Sequence, residues 1–124
     1  MQSVKTYAEL LMHLETEGRR YAPGQTIFKE GEPGGEMFVV RSGTVELRVG
    51  PHVVETVGAA GVLGEMSLVD EQPRSATAVA GTDTELVAID EARFALLVQR
   101  VPGFALEVMR VMARRLRRAN LQAD

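Results

Sequence analysis

One stretch of the chain combines residue types that can do chemistry together: "GEMSLVDEQPRSATA", Gly64 to Ala78. Arg74 offers a planar guanidinium fork that can hold two oxygens of a phosphodiester at once, and Ser75 beside it adds a hydroxyl donor. The spacing predicts one helical turn over Gly64 to Leu68. The free backbone N–H groups of that turn would point at the same anion, and Gly64 lacks a side chain that would block close approach. The Glu65 carboxylate would repel a phosphate, so it must serve something else. A sugar hydroxyl is its natural partner, because an ionised carboxylate only accepts and a hydroxyl can donate. An anion and a sugar hydroxyl held side by side describe a nucleotide. A plainer reading is also open, in which Glu65 and Arg74 pair with each other and brace a loop.

These residues need a frame. Thr6 and Glu9 stand at capping-box spacing ahead of Leu10, Leu11 and Leu14, with Gly18 as a stop, so an amphipathic helix is expected over residues 1–18. From residue 19 to 90 the pattern becomes brief β-branched or alternating runs, such as "EMFVVRS", "TVELRVG" and "TELVAID", separated by "APG", "EPGG", "GAAG" and "GTD". Short strands at that rhythm imply antiparallel pairing in a β-barrel of the double-stranded or jelly-roll type, closed because closure removes edges. Asp90 can cap a helix over "EARFALLVQR", and Pro102 opens another that runs through "MARRLRRAN". The expected fold is mainly β with one N-terminal and two C-terminal helices, in a single domain over 1–124 with the Gly64 to Ala78 stretch inside a cassette at 61–78.

Composition narrows the class. The 124 residues are 45% hydrophobic and 25% charged with a net charge of -3, and a pI near 5.4 argues against general affinity for nucleic acid. The absence of cysteine removes disulfides, thiolate metal sites and cysteine nucleophiles together. No apolar run has the length of a membrane span, and Glu9 and His13 interrupt the only candidate leader, so a cytoplasmic protein is expected.

Here the residues carry a resemblance. "GVLGEMSLVDEQPRSATAVA" resembles the phosphate-binding cassette of cyclic nucleotide-binding domains. "YAPGQTIFKEGEPGGEMFVVRSGTVEL" resembles the glycine-punctuated first half of that family's barrel, and "MARRLRRAN" the helix that follows the barrel in bacterial regulators of the catabolite activator type. The resemblance implies that Glu65 accepts from the ribose 2′-hydroxyl and Arg74 pairs with the cyclic phosphate. It also implies that Ser75 and the Gly64, Glu65 and Met66 backbone complete the cradle and that Asn120 meets the purine. The implied ligand is cAMP or alternatively cGMP, bound without chemistry and without a further cofactor, with the signal carried by movement of the last helices. The chain departs from the family pattern in a short turn between Val49 and His52 and in "GAAGVLGE", which lacks the usual acidic or proline-glycine lead-in.

Other features receive structural readings. "GEPGGE", Gly31 to Glu36, has neither the lysine nor the following helix of a phosphate loop and reads as a hairpin turn. His13 and His52 are too far apart to suggest a metal. The run Arg114, Arg115, Arg117, Arg118 reads as a solvated helix end. Residues 104–119 are apolar around more than one side, which predicts a homodimer. The chain stops at Asp124 without a helix-turn-helix, so a stand-alone sensor acting on an unidentified effector protein is expected, with no direct DNA binding. Two rivals remain: a ligand-free interaction or dimerisation domain that keeps the fold, and a cupin-type enzyme, which would need clustered histidines.

Overall fold

The computed structural model describes residues 17 to 122, so the helix expected at the N-terminus lies almost wholly outside the described residues. Eight strands follow: β1 (Arg19–Tyr21), β2 (Thr26–Phe28), β3 (Glu36–Ser42), β4 (Val45–Val49), β5 (His52–Val57), β6 (Val62–Leu63), β7 (Thr77–Ala80) and β8 (Thr84–Asp90). A short helix α1 (Glu65–Asp70) lies between β6 and β7, and α2 (Glu91–Arg100) and α3 (Pro102–Gln122) close the described chain.

The strands form two antiparallel four-stranded sheets, in the orders β1-β8-β3-β6 and β2-β7-β4-β5. This is the jelly-roll arrangement, but the sheets do not close into a barrel. The expectation of closure overestimated the edge problem. Three of the four edge strands, β1, β2 and β6, have only three, three and two residues, too short to template pairing with another chain, and the fourth, β5 with six, is contacted by Arg118 of α3 at Val54 O and Glu55, so an open double sheet suffices. The second correction concerns Gly31 to Glu36. Because β2 and β3 lie in different sheets, that segment crosses between sheets and is not a hairpin.

The run Met37 to Val40 is buried at every position, which alternation explains, since successive side chains leave a strand on opposite faces. Phe38 and Val40 point between the sheets and pack with Phe28, Val45, Leu47 and Leu86. Met37 and Val39 point outward to a second core, where Ile89 and Val62 meet Leu97, Phe104, Val108 and Val111 of the helices. One sheet therefore packs on both faces.

The helix boundaries follow the expected signals. The Asp90 side chain accepts from the Arg93 backbone N–H at 2.8 Å. Pro102 is the first residue of α3, where its missing N–H costs nothing. Val101 N–H bonds to Leu97 O at 2.7 Å and ends α2. Phe104, 1% exposed, then tilts against Phe94 with ring centroids 5.8 Å apart and anchors α3 to the sheet.

Phe104→Ala should lower unfolding free energy by about 3–5 kcal/mol, read as a fall in the denaturant midpoint with an unchanged m value. A loss below about 1 kcal/mol would show that α3 is held mainly by its other contacts.

Candidate functional site

A cavity of about 190 Å³ opens between β4 and β5, the start of α1, the loop before β7, and the C-terminal half of α3. Gly64, Glu65, Met66, Arg74 and Ser75 all line it, so the residues singled out in the sequence converge on one space. Met66 is half-buried and Ser75 exposed at the rim. Asn120 is exposed; the α3 residues on the cavity wall are Arg115, Leu116, Arg118 and Ala119.

Gly64 is required twice over. Its φ of 78° lies in the left-handed region, and a Cβ there would stand 2.7 Å from Arg74 Nη1. The turn into α1 and the approach of the arginine are thus one constraint.

Arg74 is 7% exposed. Its Nη1 donates to Glu36 O at 2.8 Å and to Gly64 O at 3.2 Å, and its guanidinium carbon lies 4.2 Å from the Phe28 ring centroid, within cation–π range. Among the described residues it has no carboxylate partner, and its buried Nε has no hydrogen-bond partner at all. Burial pulls its pKa below the ordinary guanidinium value, with the nearby carboxylates of Glu36 and Glu65 opposing the fall.

The segment Gly31 to Glu36 holds this arginine. Gly31 N donates to Arg74 O and Arg74 N to Glu32 O, both at 2.8 Å, and Glu36 supplies the carbonyl under Nη1. A Cβ on Gly34 would fall 1.4 Å from Ser67 Oγ, so only glycine lets this loop lie against α1. Ser67 in turn donates to Gln72 O at 2.8 Å and ties α1 to the separate loop that leads to β7.

Glu65 does not pair with Arg74. It is 2% exposed and accepts from Arg115 Nη1. Arg115 also donates from Nε to Glu55 Oε1 at 2.9 Å, from Nη2 to Glu55 Oε2 at 3.1 Å, and from Nη2 to Val62 O at 2.8 Å. Arg118 Nη1 donates to Val54 O at 2.9 Å and Glu55 Oε1 at 3.1 Å. The solvated helix end expected for the arginine run is therefore half right. Arg114 and Arg117 are exposed, whereas Arg115 and Arg118 extend the inward stripe of Val108 and Val111 at helical spacing. That stripe was the available signal for both residues. Glu55 was missed, and the alternation of "HVVETVG" does not single it out.

Burial raises the Glu65 carboxyl above its ordinary value, with the Arg115 charge opposing the rise. For Glu55, burial works upward, but hydrogen bonding and charge from Arg115 and Arg118 bring it below the ordinary value. Burial also works against the charge of Arg115, and its two carboxylates together raise its pKa. The site thus pairs a satisfied carboxylate–guanidinium network on the α3 side with an uncompensated guanidinium on the loop side. Among the described residues no group of three or more His, Cys, Asp or Glu could hold a metal, and no helix is long and apolar enough to cross a membrane.

The model of the cyclic nucleotide-binding domain matches residues 18–101. The chain is 40% identical over 111 residues to the cyclic AMP receptor protein of Thermus thermophilus, covering 86% of this chain and 51% of that protein. It is 33% identical over 102 residues to a CRP-like cAMP-activated global transcriptional regulator of Mycobacterium tuberculosis, covering 78% and 46%. The solved Thermus thermophilus catabolite activator protein superposes with a TM-score of 0.79 at 36% identity, covering 96% of this chain and 58% of that one. The chain thus spans about half the length of the curated relatives it matches.

Arg115→Ala should destabilise the fold by about 3–5 kcal/mol, because it leaves the buried Glu65 carboxylate without its cation and Glu55 with Arg118 alone. The deficit should narrow as pH falls from 7 toward 5. Glu65 already has a raised folded-state pKa and would lose the charge opposing that rise, so the native state would take up the proton first and gain stability. Chemical denaturation at both pH values checks this, and a deficit that widened in acid would contradict it.

Proposed function

This chain belongs to the cyclic nucleotide-binding domain family, and from that premise we propose that it is a cytoplasmic sensor domain that binds a purine cyclic nucleotide, cAMP foremost, without acting on it chemically. One observation carries the reading. Arg74 is a buried cation that no carboxylate contacts among the described residues, and its unpartnered Nε is buried in a wall that also holds Gly64, Glu65, Met66 and Ser75. An unpaired charge away from water is costly, and an anion with two oxygens in the plane of the fork would offset that cost. The cyclic phosphate supplies such an anion.

Glu65 then accepts from the ribose 2′-hydroxyl. Its other partner is Arg115, so ligand and helix α3 meet at one carboxylate. A ligand that changes how Glu65 is shared would change the relative stability of two positions of α3, which is the coupling a sensor needs. That movement, and the effector that reads it, are part of the proposal.

The proposal includes a homodimer through residues 104–119. On α3 the exposed side chains Leu106, Met109 and Leu116 are 47%, 55% and 48% accessible. With Ala113 and Asn120 they recur at alternating steps of three and four residues, the spacing of a coiled-coil seam, on the side opposite the inward stripe. Charge favours parallel pairing. Arg110 and Arg117 flank one side of the seam. Antiparallel pairing would set them against each other, whereas parallel pairing sets them against Ala105 and Met112 of the second copy, and Asn120 against its own counterpart.

Two experiments test these readings. In calorimetric titration with cAMP and cGMP, after refolding to strip carried ligand, Arg74→Ala should lose about 2–5 kcal/mol of binding, roughly thirty-fold to several-thousand-fold. Unchanged affinity would refute the phosphate assignment, and no heat with either nucleotide in the parent would favour the ligand-free interaction domain. In light scattering the parent should have the mass of two chains and Met109→Glu the mass of one. A monomeric parent at high concentration would refute the seam.

A further inference from the structure

Away from the phosphate end, the cavity is lined by Leu47, Val49, Val54, Leu116 and Ala119, all apolar, and by one charged side chain with spare donors, Arg118. Arg115 has donors on all three nitrogens committed, to Glu55, Glu65 and Val62 O. Arg118 commits only Nη1, to Val54 O at 2.9 Å and Glu55 Oε1 at 3.1 Å. Its Nε and Nη2 have no partner among the described residues, and its side chain is 42% exposed, so those donors remain free beside the apolar wall. The neighbouring acceptor, Glu55, is nearly spent, with Oε1 taking two hydrogen bonds and Oε2 one. The far end of the cavity is therefore rich in donors and poor in acceptors.

That imbalance bears on the base. Guanine shows two adjacent acceptors, O6 and N7, which match a guanidinium fork, whereas adenine shows N7 beside an N6 amine that must donate. We infer that Arg118 determines base preference in this site, donating to the O6 and N7 edge so that the domain takes cGMP as well as cAMP. The inference rests on the cyclic nucleotide reading above and adds to it the residue that sets the choice of purine.

The test is titration of the parent, Arg118→Ala and Arg118→Met with cAMP, cGMP and the inosine cyclic monophosphate. The inosine ligand keeps O6 and N7 but lacks the guanine amine. Arg118→Met keeps most of the aliphatic stem that packs on the barrel, and reading the ratio of affinities cancels any general loosening of α3. The parent should bind cGMP within about tenfold of cAMP, and both variants should lose about tenfold or more for cGMP and the inosine ligand relative to cAMP. A ratio unchanged in both variants, or a parent that binds cAMP and excludes cGMP, would overturn the role of Arg118 while leaving the sensor reading intact. A loss confined to cGMP and absent with the inosine ligand would also overturn it, because the guanine amine would then be what is read. A parent that binds none of the three would overturn both readings.

Discussion

The site depends on a positive charge buried without a negative partner. No carboxylate contacts Arg74 among the described residues; two backbone carbonyls accept from Nη1, the face of Phe28 lies beneath the guanidinium, and the charges of Glu36 and Glu65 act only from a distance. Each of these supports needs a particular backbone path. Gly64 must take a left-handed conformation to bring its carbonyl and its bare Cα to the arginine. Gly34 must lie against Ser67 so that the strand-crossing loop can place Glu36 O. Loop glycines far apart in the chain thus serve one side chain, and the punctuation of the strands is partly the geometry of that cation.

Opposite Arg74 the electrostatics are reversed. Glu55 and Glu65 are drawn inside by Arg115 and Arg118, and the four groups form a hydrogen-bonded network reaching from β5 and α1 to α3. Buried ion pairs of this kind add little net stability compared with apolar packing, but breaking one is costly, so they favour a particular arrangement. Here the arrangement favoured is the docking of the C-terminal half of α3 over the cavity. The Phe104 half of the same helix is held by apolar packing, which is insensitive to a charged ligand. In the proposed reading, a ligand that competed for Glu65 would act on one end of the helix and leave the other anchored.

The local parts of this design were readable from residue types. The Asp90 cap, the Pro102 start and the antiparallel pairing follow from short-range rules and stand in the structure, with the sheets open where closure was expected, and the cassette residues line one cavity. What escaped the sequence reading is long-range. Arg115 sits fifty residues from Glu65 and sixty from Glu55. A run of four arginines in five positions looks the same whether it is solvated or split between two faces; only continuing the Val108 and Val111 spacing assigns Arg115 and Arg118 inward. The "GEPGGE" segment was misread for a similar reason. Its composition signals a tight turn, but whether that turn joins two strands of one sheet or crosses to another is decided by pairing with β7 and β8, many residues later.

Helix α3 carries two demands on its opposite faces, and the sequence resolves them by residue type. The inward face changes along its length from Phe104, Val108 and Val111, which need only exclusion from water, to Arg115 and Arg118, which need partners. The outward face keeps one apolar spacing throughout, with small or flexible residues at Ala113 and Met109 that tolerate repacking. Leu116 belongs to both faces, lining the cavity while remaining 48% exposed on the outer side. In the proposed dimer this residue makes the cavity and the seam mechanically continuous. A displacement of the Arg115 turn toward or away from Glu65 cannot occur without moving Leu116 in the seam. The proposed coupling would then require no separate relay, because the residue beside the ion pair would itself be part of the surface that the proposed second copy contacts.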